Sequence, residues 1–245
     1  MTASSADQVE ALTDRDVRAA TEAIDRARQE AGQGVPLAAD GTADAAYWQG
    51  VLEANAAAVL DALEHVSLSP GYAVRYRVFE SEGSELRARP FVARATTDVD
   101  VVRAALEWHP PPDSGSASQR LRANRNVELL YRHFAFERSP IGVFQYWVAM
   151  QEIWASARWV HTQVIAGGTH FAEIVAGPEW HVEHPLETHR PLVIREGERA
   201  ALAILLYSPL QRHSITLQQV SIEADNDIVF AEPITVASGP RGYLG

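Results

Sequence analysis

The chain has 245 residues, of which 47% are hydrophobic, and it carries a formal net charge of −11. This length and apolar content suffice for a sizeable buried core and exclude a disordered chain. The excess of acidic charge is repelled by phosphate backbones and anionic lipid, so we expect neither nucleic acid nor a membrane as partner.

Cysteine and lysine are both absent, and all 21 basic residues are arginines. Without cysteine there are no disulfides, thiol nucleophiles or cysteine-ligated zinc sites. Without lysine there is no Schiff-base chemistry and no P-loop lysine. The use of arginine alone favours a GC-rich bacterial source. The N-terminal residues lack the basic and apolar regions of a signal peptide, so we expect a soluble, cytoplasmic protein.

Two amphipathic helices are predicted near the N-terminus. The first has Thr13 or Asp14 as its N-cap and ends at Gly32. Its apolar stripe consists of Val17, Ala20, Ile24, Ala27 and Ala31. The second begins near Thr42, and its stripe consists of Ala45, Trp48, Leu52, Ala56, Val59, Leu63 and Val66. Since each apolar face needs a partner, we expect the helices to pack together.

A β-hairpin with strands at 72–79 and 86–95 is predicted next, followed by a short helix at 98–108. The hairpin carries four arginines: Arg75, Arg77, Arg87 and Arg89. They could bind an anion if they shared one face. A solvated surface is the favoured interpretation. Residues 110–118 are rich in proline, serine and glycine and resemble a linker. They divide the chain into three parts. Residues 1–109 form a helical region that includes the hairpin, residues 110–118 a linker or surface loop, and residues 119–245 a β-rich region that includes a central helix. A single continuous domain is the alternative.

The β-rich region contains one further helical pattern. Its stripe consists of Val143, Trp147, Met150, Trp154, Ala157, His161 and Val164. This pattern predicts a tryptophan-rich central helix that ends at Gly167-Gly168. Trp147 and Trp154 are expected to be largely buried and His161 to be a buried core histidine. Strands are predicted at 127–136, 169–175, 191–195, 200–207, 214–223 and 228–236, with a hairpin turn at 225–227. The predicted fold class is α+β: a helical N-terminal part with a β-hairpin, then a mainly antiparallel β part, sandwich or barrel-like, packed on the central helix.

Five of the nine histidines lie between positions 161 and 189, interleaved with four glutamates. Imidazole and carboxylate groups bind Fe(II), Mn(II) or Zn(II) without help from cysteine. The candidate metal ligands are His170, His181, His184 and His189. Neighbours on one strand face opposite ways, so at least one ligand must come from elsewhere, with His133, His170 and His213 as the candidates. Glu183 is a further possible ligand within the segment. The alternative is a solvated polar loop, because no HExxH or His-x-His pattern is present.

One stretch of this segment resembles the Fe(II)/2-oxoglutarate oxygenases. Residues 185–190 read Pro-Leu-Glu-Thr-His-Arg, and Gly-Glu-Arg follows at 197–199. The resemblance implies that His189 is the distal metal ligand and that Arg199 anchors the co-substrate carboxylate. The family's upstream His-x-Asp/Glu motif has no complete counterpart, since 133–135 lacks the carboxylate and 181–183 lies too close to His189. Membership of this family is not claimed.

Two classes of function remain open. A non-catalytic binding or assembly module is favoured, because no catalytic constellation is complete: the chain has neither a Gly-x-Ser-x-Gly elbow nor a Gly-x-Gly-x-x-Gly turn. The alternative is a metal-dependent enzyme acting on a small molecule, with an oxygenase as one example. The only cofactor the sequence suggests is a divalent metal. A small-molecule ligand or a second copy of the chain is the expected partner.

Overall fold

A computed structural model describes residues 8–31, 44–80, 86–94, 98–100, 130–155, 162–210 and 212–242. These parts contain four helices and many antiparallel strands, so the α+β class is confirmed. The larger sheet is curled like half of a barrel, and its finer description as a sandwich or a closed barrel stays a prediction. The predicted linker at 110–118, most of the predicted helix at 98–108 and the expected core residue His161 lie outside the described residues.

The first helix, α1 (Asp14–Ala31), follows the sequence pattern closely. Its N-cap is Thr13, whose hydroxyl oxygen accepts from the Asp16 backbone N–H at 3.2 Å. The predicted stripe is buried in full: Val17, Ala20, Ile24, Ala27 and Ala31. A strand that was not predicted, β1 (Gln8–Ala11), precedes the helix.

The second helix, α2 (Ala45–Ala62), packs on α1 as predicted. It is capped by Asp44, whose carboxylate accepts from the Tyr47 backbone N–H at 2.8 Å, so it begins slightly later than expected. Trp48 belongs to the predicted stripe, yet it is 40% exposed. After α2, the short strand β2 (Val66–Leu68) runs into the hairpin of β3 (Tyr72–Glu80) and β4 (Leu86–Arg94).

Helix α2 covers the free edge of β3. Gln49 accepts from the Val78 backbone N–H and Glu53 from the Tyr76 backbone N–H, each at 3.2 Å. Because Gln49 and Glu53 are one helical turn apart, they satisfy alternate N–H groups of the strand. The edge is thereby protected from pairing with another chain.

Three of the four hairpin arginines have side chains that the structure describes, and these are engaged rather than free. The strand register places Arg77 opposite Arg89 and Arg75 opposite Phe91, so these three arginines share a face. Arg75 pairs with Glu53 at 2.9 Å, and the Arg77 guanidinium lies 4.6 Å from the Phe79 ring centroid. Arg89 is buried, which lowers its pKa. The favoured interpretation as a solvated face is therefore wrong for Arg89.

Helix α3 (Pro140–Ala155) is the central helix of the prediction. It follows β5 (Phe134–Phe136), which pairs with β2, and every residue from Val143 to Met150 is buried. It contacts α1 and α2 and also the sheet strands described below. Trp147 is 1% exposed, while Trp154 is partly buried against the core. The predicted extension of this helix to Val164 is wrong, because Val164 lies in a strand.

The larger sheet is antiparallel throughout the described residues. Its path is β1-β8-β9-β10-β12-β7, with β6 added to β9 and β11 added to β10. Its remaining strands are β6 (Gln163–Val164), β7 (His181–Val182), β8 (Leu192–Glu196), β9 (Arg199–Ser208), β10 (Arg212–Ile222), β11 (Ile228–Phe230) and β12 (Ile234–Arg241). The strand predicted at 228–236 is two strands, separated by residues 231–233, which include Pro233. The predicted turn is present, with Asn226 at φ 71°.

The strand predicted at 169–175 is instead a short helix, α4 (Gly168–Ile174). Gly167-Gly168 indicated a helix end in the sequence, but it is where this helix begins. Phe171 and Ile174, three residues apart, face the same hydrophobic cluster. Burial of this i, i+3 pair outweighs the weak helix propensity of so short a segment.

The sheet is covered on both faces where β9 and β10 cross its middle. Leu202, Ile204 and Val220 join the main core with α3. Leu205 and Ile215, which point to the opposite face, join a second core that includes Phe171 of α4. Among the described helices, none is long and apolar enough to cross a membrane.

Candidate functional site

A cavity of about 240 Å³ lies between α1, α3, β6 and α4. Its described walls combine apolar and polar side chains: Thr21, Ile24, Asp25, Arg28, Val148, Thr162, Gln163, Val164 and His170. The α1 members are spaced by three or four residues, which places them on one side of the helix. Small-molecule sites are concave and have a few convergent polar groups, and this cavity is smaller and more polar than the usual site of about 300–1,000 Å³.

A buried ion pair stands at the α1 wall of this cavity. The Arg28 Nε and Nη2 atoms donate to the two carboxylate oxygens of Glu152 at 2.9 and 2.5 Å. Glu152 lies on α3 and its side chain is fully buried, while the Arg28 side chain is 17% exposed. Asn55 Nδ2 donates to the same carboxylate at 3.1 Å. Two charges removed from water need this fork geometry and added hydrogen bond to be tolerated.

The ion pair fixes the charge state of Arg28. Burial lowers the pKa of the guanidinium, but the hydrogen bonds and charge of Glu152, helped by Asp25, outweigh burial and raise it above its usual value. Arg28 is therefore a permanent cation, held in one orientation by α3.

Asp25 meets the third nitrogen of the same guanidinium. Its carboxylate accepts from Arg28 Nη1 at 2.9 Å, one turn earlier on α1. The Asp25 side chain is 61% exposed, so water screens this contact strongly. The two carboxylates thus hold Arg28 very unequally, one from the core and one from the surface.

His170 supplies the polar group on the α4 wall. The Ala166 backbone N–H donates to His170 Nδ1 at 3.3 Å, which assigns the proton of the neutral ring to Nε2. Burial, with the charge of Arg18, lowers its pKa, although Glu173 and Asp14 act in the opposite direction. At neutral pH His170 is thus an uncharged ring with one N–H to donate.

The histidines predicted as metal ligands lie in separate surroundings. The His189 ring centroid lies 4.0 Å from that of Phe171, and burial lowers the His189 pKa. His181 is on the edge strand β7 and His184 follows it, both exposed. His170 alone of the four lines the cavity.

The further candidates do not complete a ligand set. His133 stacks on Tyr72, His213 lies 2.8 Å from the Tyr207 hydroxyl, and Glu183 accepts from the Ser238 hydroxyl. Within the described parts of the chain, no group of three or more histidine, aspartate or glutamate side chains could hold a metal ion. The expected convergence is thus not found there, and the metal assignment stays a prediction.

Arg199 lies away from His189. It begins β9, directly after the turn at Gly197, and its Nε donates to Glu223 at 3.0 Å. His189 precedes β8, so the whole of that strand separates the two residues along the hairpin. With its side chain 67% exposed, Arg199 sits at a solvated strand end.

The residues that form the cavity wall were missed from sequence, apart from His170. Arg28 and Glu152 are 124 positions apart, and no local pattern joins them. One signal was available: Glu152 is the single charged residue between 140 and 155, inside an otherwise apolar and aromatic helix. A lone carboxylate on a buried helix requires a cationic or hydrogen-bonding partner.

Comparison of the chain with protein-family models, with curated proteins and with solved structures gave no match. The function of the chain is therefore inferred from the geometry of the cavity.

Proposed function

We propose that the protein is a non-catalytic binding module that holds a small polar molecule in the cavity between α1, α3, β6 and α4. The observation that carries the proposal is the Arg28–Glu152 pair, which places an oriented cation at the cavity wall before any ligand arrives. Such preorganisation removes part of the ordering cost of binding.

The same geometry favours binding over proton transfer. Glu152 is fully buried and its carboxylate is bonded to both Arg28 and Asn55. Both oxygens of this carboxylate already accept hydrogen bonds from Arg28, so neither is offered to a ligand. The uncharged side chains Thr21, Thr162 and Gln163 add hydrogen-bonding groups around the cation.

Binding of three small probes, acetate, acetamide and ethylammonium, tests the proposal. The methyl resonances of Ile24, Val148 and Val164, which line the cavity, report binding by NMR. We expect at least one probe to give saturable shifts, with a dissociation constant in roughly the millimolar range for so few atoms.

A cavity-filling variant supplies the matched comparison. Thr21→Met extends a side chain into the cavity and should weaken binding of the probe, whereas Glu22→Met places the same side chain at an exposed position of α1. If no probe shifts these methyl groups, or if Thr21→Met leaves binding unchanged, the proposal is wrong.

A further inference from the structure

The guanidinium of Arg28 has two unequal sides. Nε and Nη2 are tied to a carboxylate that is inside the core, and among the described residues Nη1 meets only the exposed carboxylate of Asp25. A bidentate pair with a buried acid is strong and directional, whereas an exposed i, i+3 pair contributes little. The Nη1 contact is therefore the one that a ligand can replace.

A second donor lies across the cavity. His170 accepts a backbone N–H at Nδ1, so its ring donates through Nε2 and is held against rotation by that hydrogen bond. Protonation at Nδ1 would break the bond with Ala166, which keeps the ring neutral. The cavity thus offers a fixed cationic donor on α1 and a neutral donor on α4.

From this arrangement we infer that the ligand is a small carboxylate, whose oxygens bind Arg28 Nη1 in place of Asp25. The inference deepens the binding function proposed above and rests on it. The Asp25 carboxylate acts as an internal stand-in for the carboxylate of the ligand. It contacts Arg28 when the ligand is absent and moves into solvent when the ligand binds. A carboxylate suits this N–H group better than a neutral carbonyl, because a hydrogen bond between two charged partners is the stronger one.

Asp25→Asn tests the stand-in role directly. Removal of the competing charge should tighten acetate binding by a factor of about 1.4 to 5, the ratio that corresponds to an exposed pair of about 0.2–1 kcal/mol. Glu22→Gln removes one charge from an exposed position of the same helix and is the control for the general electrostatic effect. We expect it to change acetate binding less than Asp25→Asn does. Arg28 itself is left intact, because its removal would strand the buried Glu152 charge.

The outcomes separate this inference from the binding function. The carboxylate inference and the binding function are both supported if acetate binds more tightly than acetamide and ethylammonium do, and if it binds still more tightly to Asp25→Asn. If acetamide or ethylammonium binds in the cavity and acetate does not, or if Asp25→Asn weakens acetate binding or has no more effect than Glu22→Gln, the carboxylate inference is overturned and the binding function stands. If none of the three probes binds, both fail.

Discussion

Glu152 keeps a negative charge inside α3 because two other helices reach it. Arg28 comes from α1 and Asn55 from α2, so one carboxylate joins three helices. Asn55 Oδ1 itself is buried and has no hydrogen-bond partner among the described residues, which reduces the net stabilisation by this network. The pair orients the three helices and at the same time builds the cavity wall.

Loss of the buried carboxylate should be far more costly than loss of the exposed one. We expect Glu152→Ala to lower the free energy of unfolding by about 3–5 kcal/mol, because it leaves the partly buried Arg28 charge with only the exposed carboxylate of Asp25. Asp25→Ala should cost at most about 1 kcal/mol. Urea denaturation of both variants gives the comparison, and equal losses would contradict the assigned roles. The double variant Arg28→Met/Glu152→Leu should be more stable than Glu152→Ala, since it leaves no buried charge alone.

His170 should make stability depend on pH. Burial lowers its native-state pKa, while the unfolded value is about 6.5. Below about pH 6.5 the unfolded chain therefore takes up the proton more readily than the native chain, and the free energy of unfolding falls as the pH drops. In His170→Asn, the part of the decrease in the free energy of unfolding between pH 7 and pH 5 that comes from His170 should disappear. The measurement is urea denaturation at both pH values, and an identical difference in the two proteins would contradict the prediction.

Among the elements, α1 and α4 show how far periodicity predicts structure. The α1 stripe repeats over five turns with a capping residue before it, and every predicted position is buried. The seven-residue α4 gives too short a pattern for a period to be recognised, and its helical state is set by the contact of Phe171 with the second core. The strands β6 and β7, of two residues each, are likewise defined by their partners rather than by their own sequence.

The second core depends on a close contact between β12 and Trp180. A Cβ atom added to Gly239 would lie 2.7 Å from the Trp180 ring, whereas one added to Gly177 would lie at an ordinary 3.6 Å. We expect Gly239→Ala to cost about 1–3 kcal/mol through overpacking, and Gly177→Ala to cost nothing measurable. Urea denaturation gives the two energies, and the Trp180 indole N–H resonance should move in Gly239→Ala. An unperturbed Gly239→Ala protein would show that the ring is not seated there.

At the scale of the whole molecule, local sequence patterns predicted the class of fold but not which segments meet. Strand β1 pairs with β8, which begins 181 positions after β1 ends, and β8 pairs next with β9. The main core likewise combines residues from Leu12 to Ile228. The cavity depends on the same long-range contacts, since its walls come from α1 and from residues beyond 147. Spacing within one segment carries no information on such pairings.

The metal hypothesis also belongs to this scale, because its ligands would have to come from distant segments. The described candidates lie in different surroundings, so the hypothesis now requires a stabilisation by Zn(II), Mn(II) or Fe(II) that depends on His189. A specific ion at 100 times its dissociation constant would stabilise the fold by about 2.7 kcal/mol. Thermal denaturation of the wild-type and His189→Ala proteins, with and without each ion, makes the comparison. A gain of that size that His189→Ala abolishes would restore the enzyme alternative.

The pairing of β1 with β8 has a consequence for how the protein is made. Gln8 is synthesised 187 residues before its partner Arg195. At roughly 5–20 residues per second, β1 must wait on the order of ten seconds or more before it can pair. During synthesis the nascent chain thus carries an unpaired strand beside helix α1, whose partner Glu152 on α3 is also still to come. The interval between the synthesis of β1 and that of β8 should therefore be the stage at which this protein depends most on chaperones.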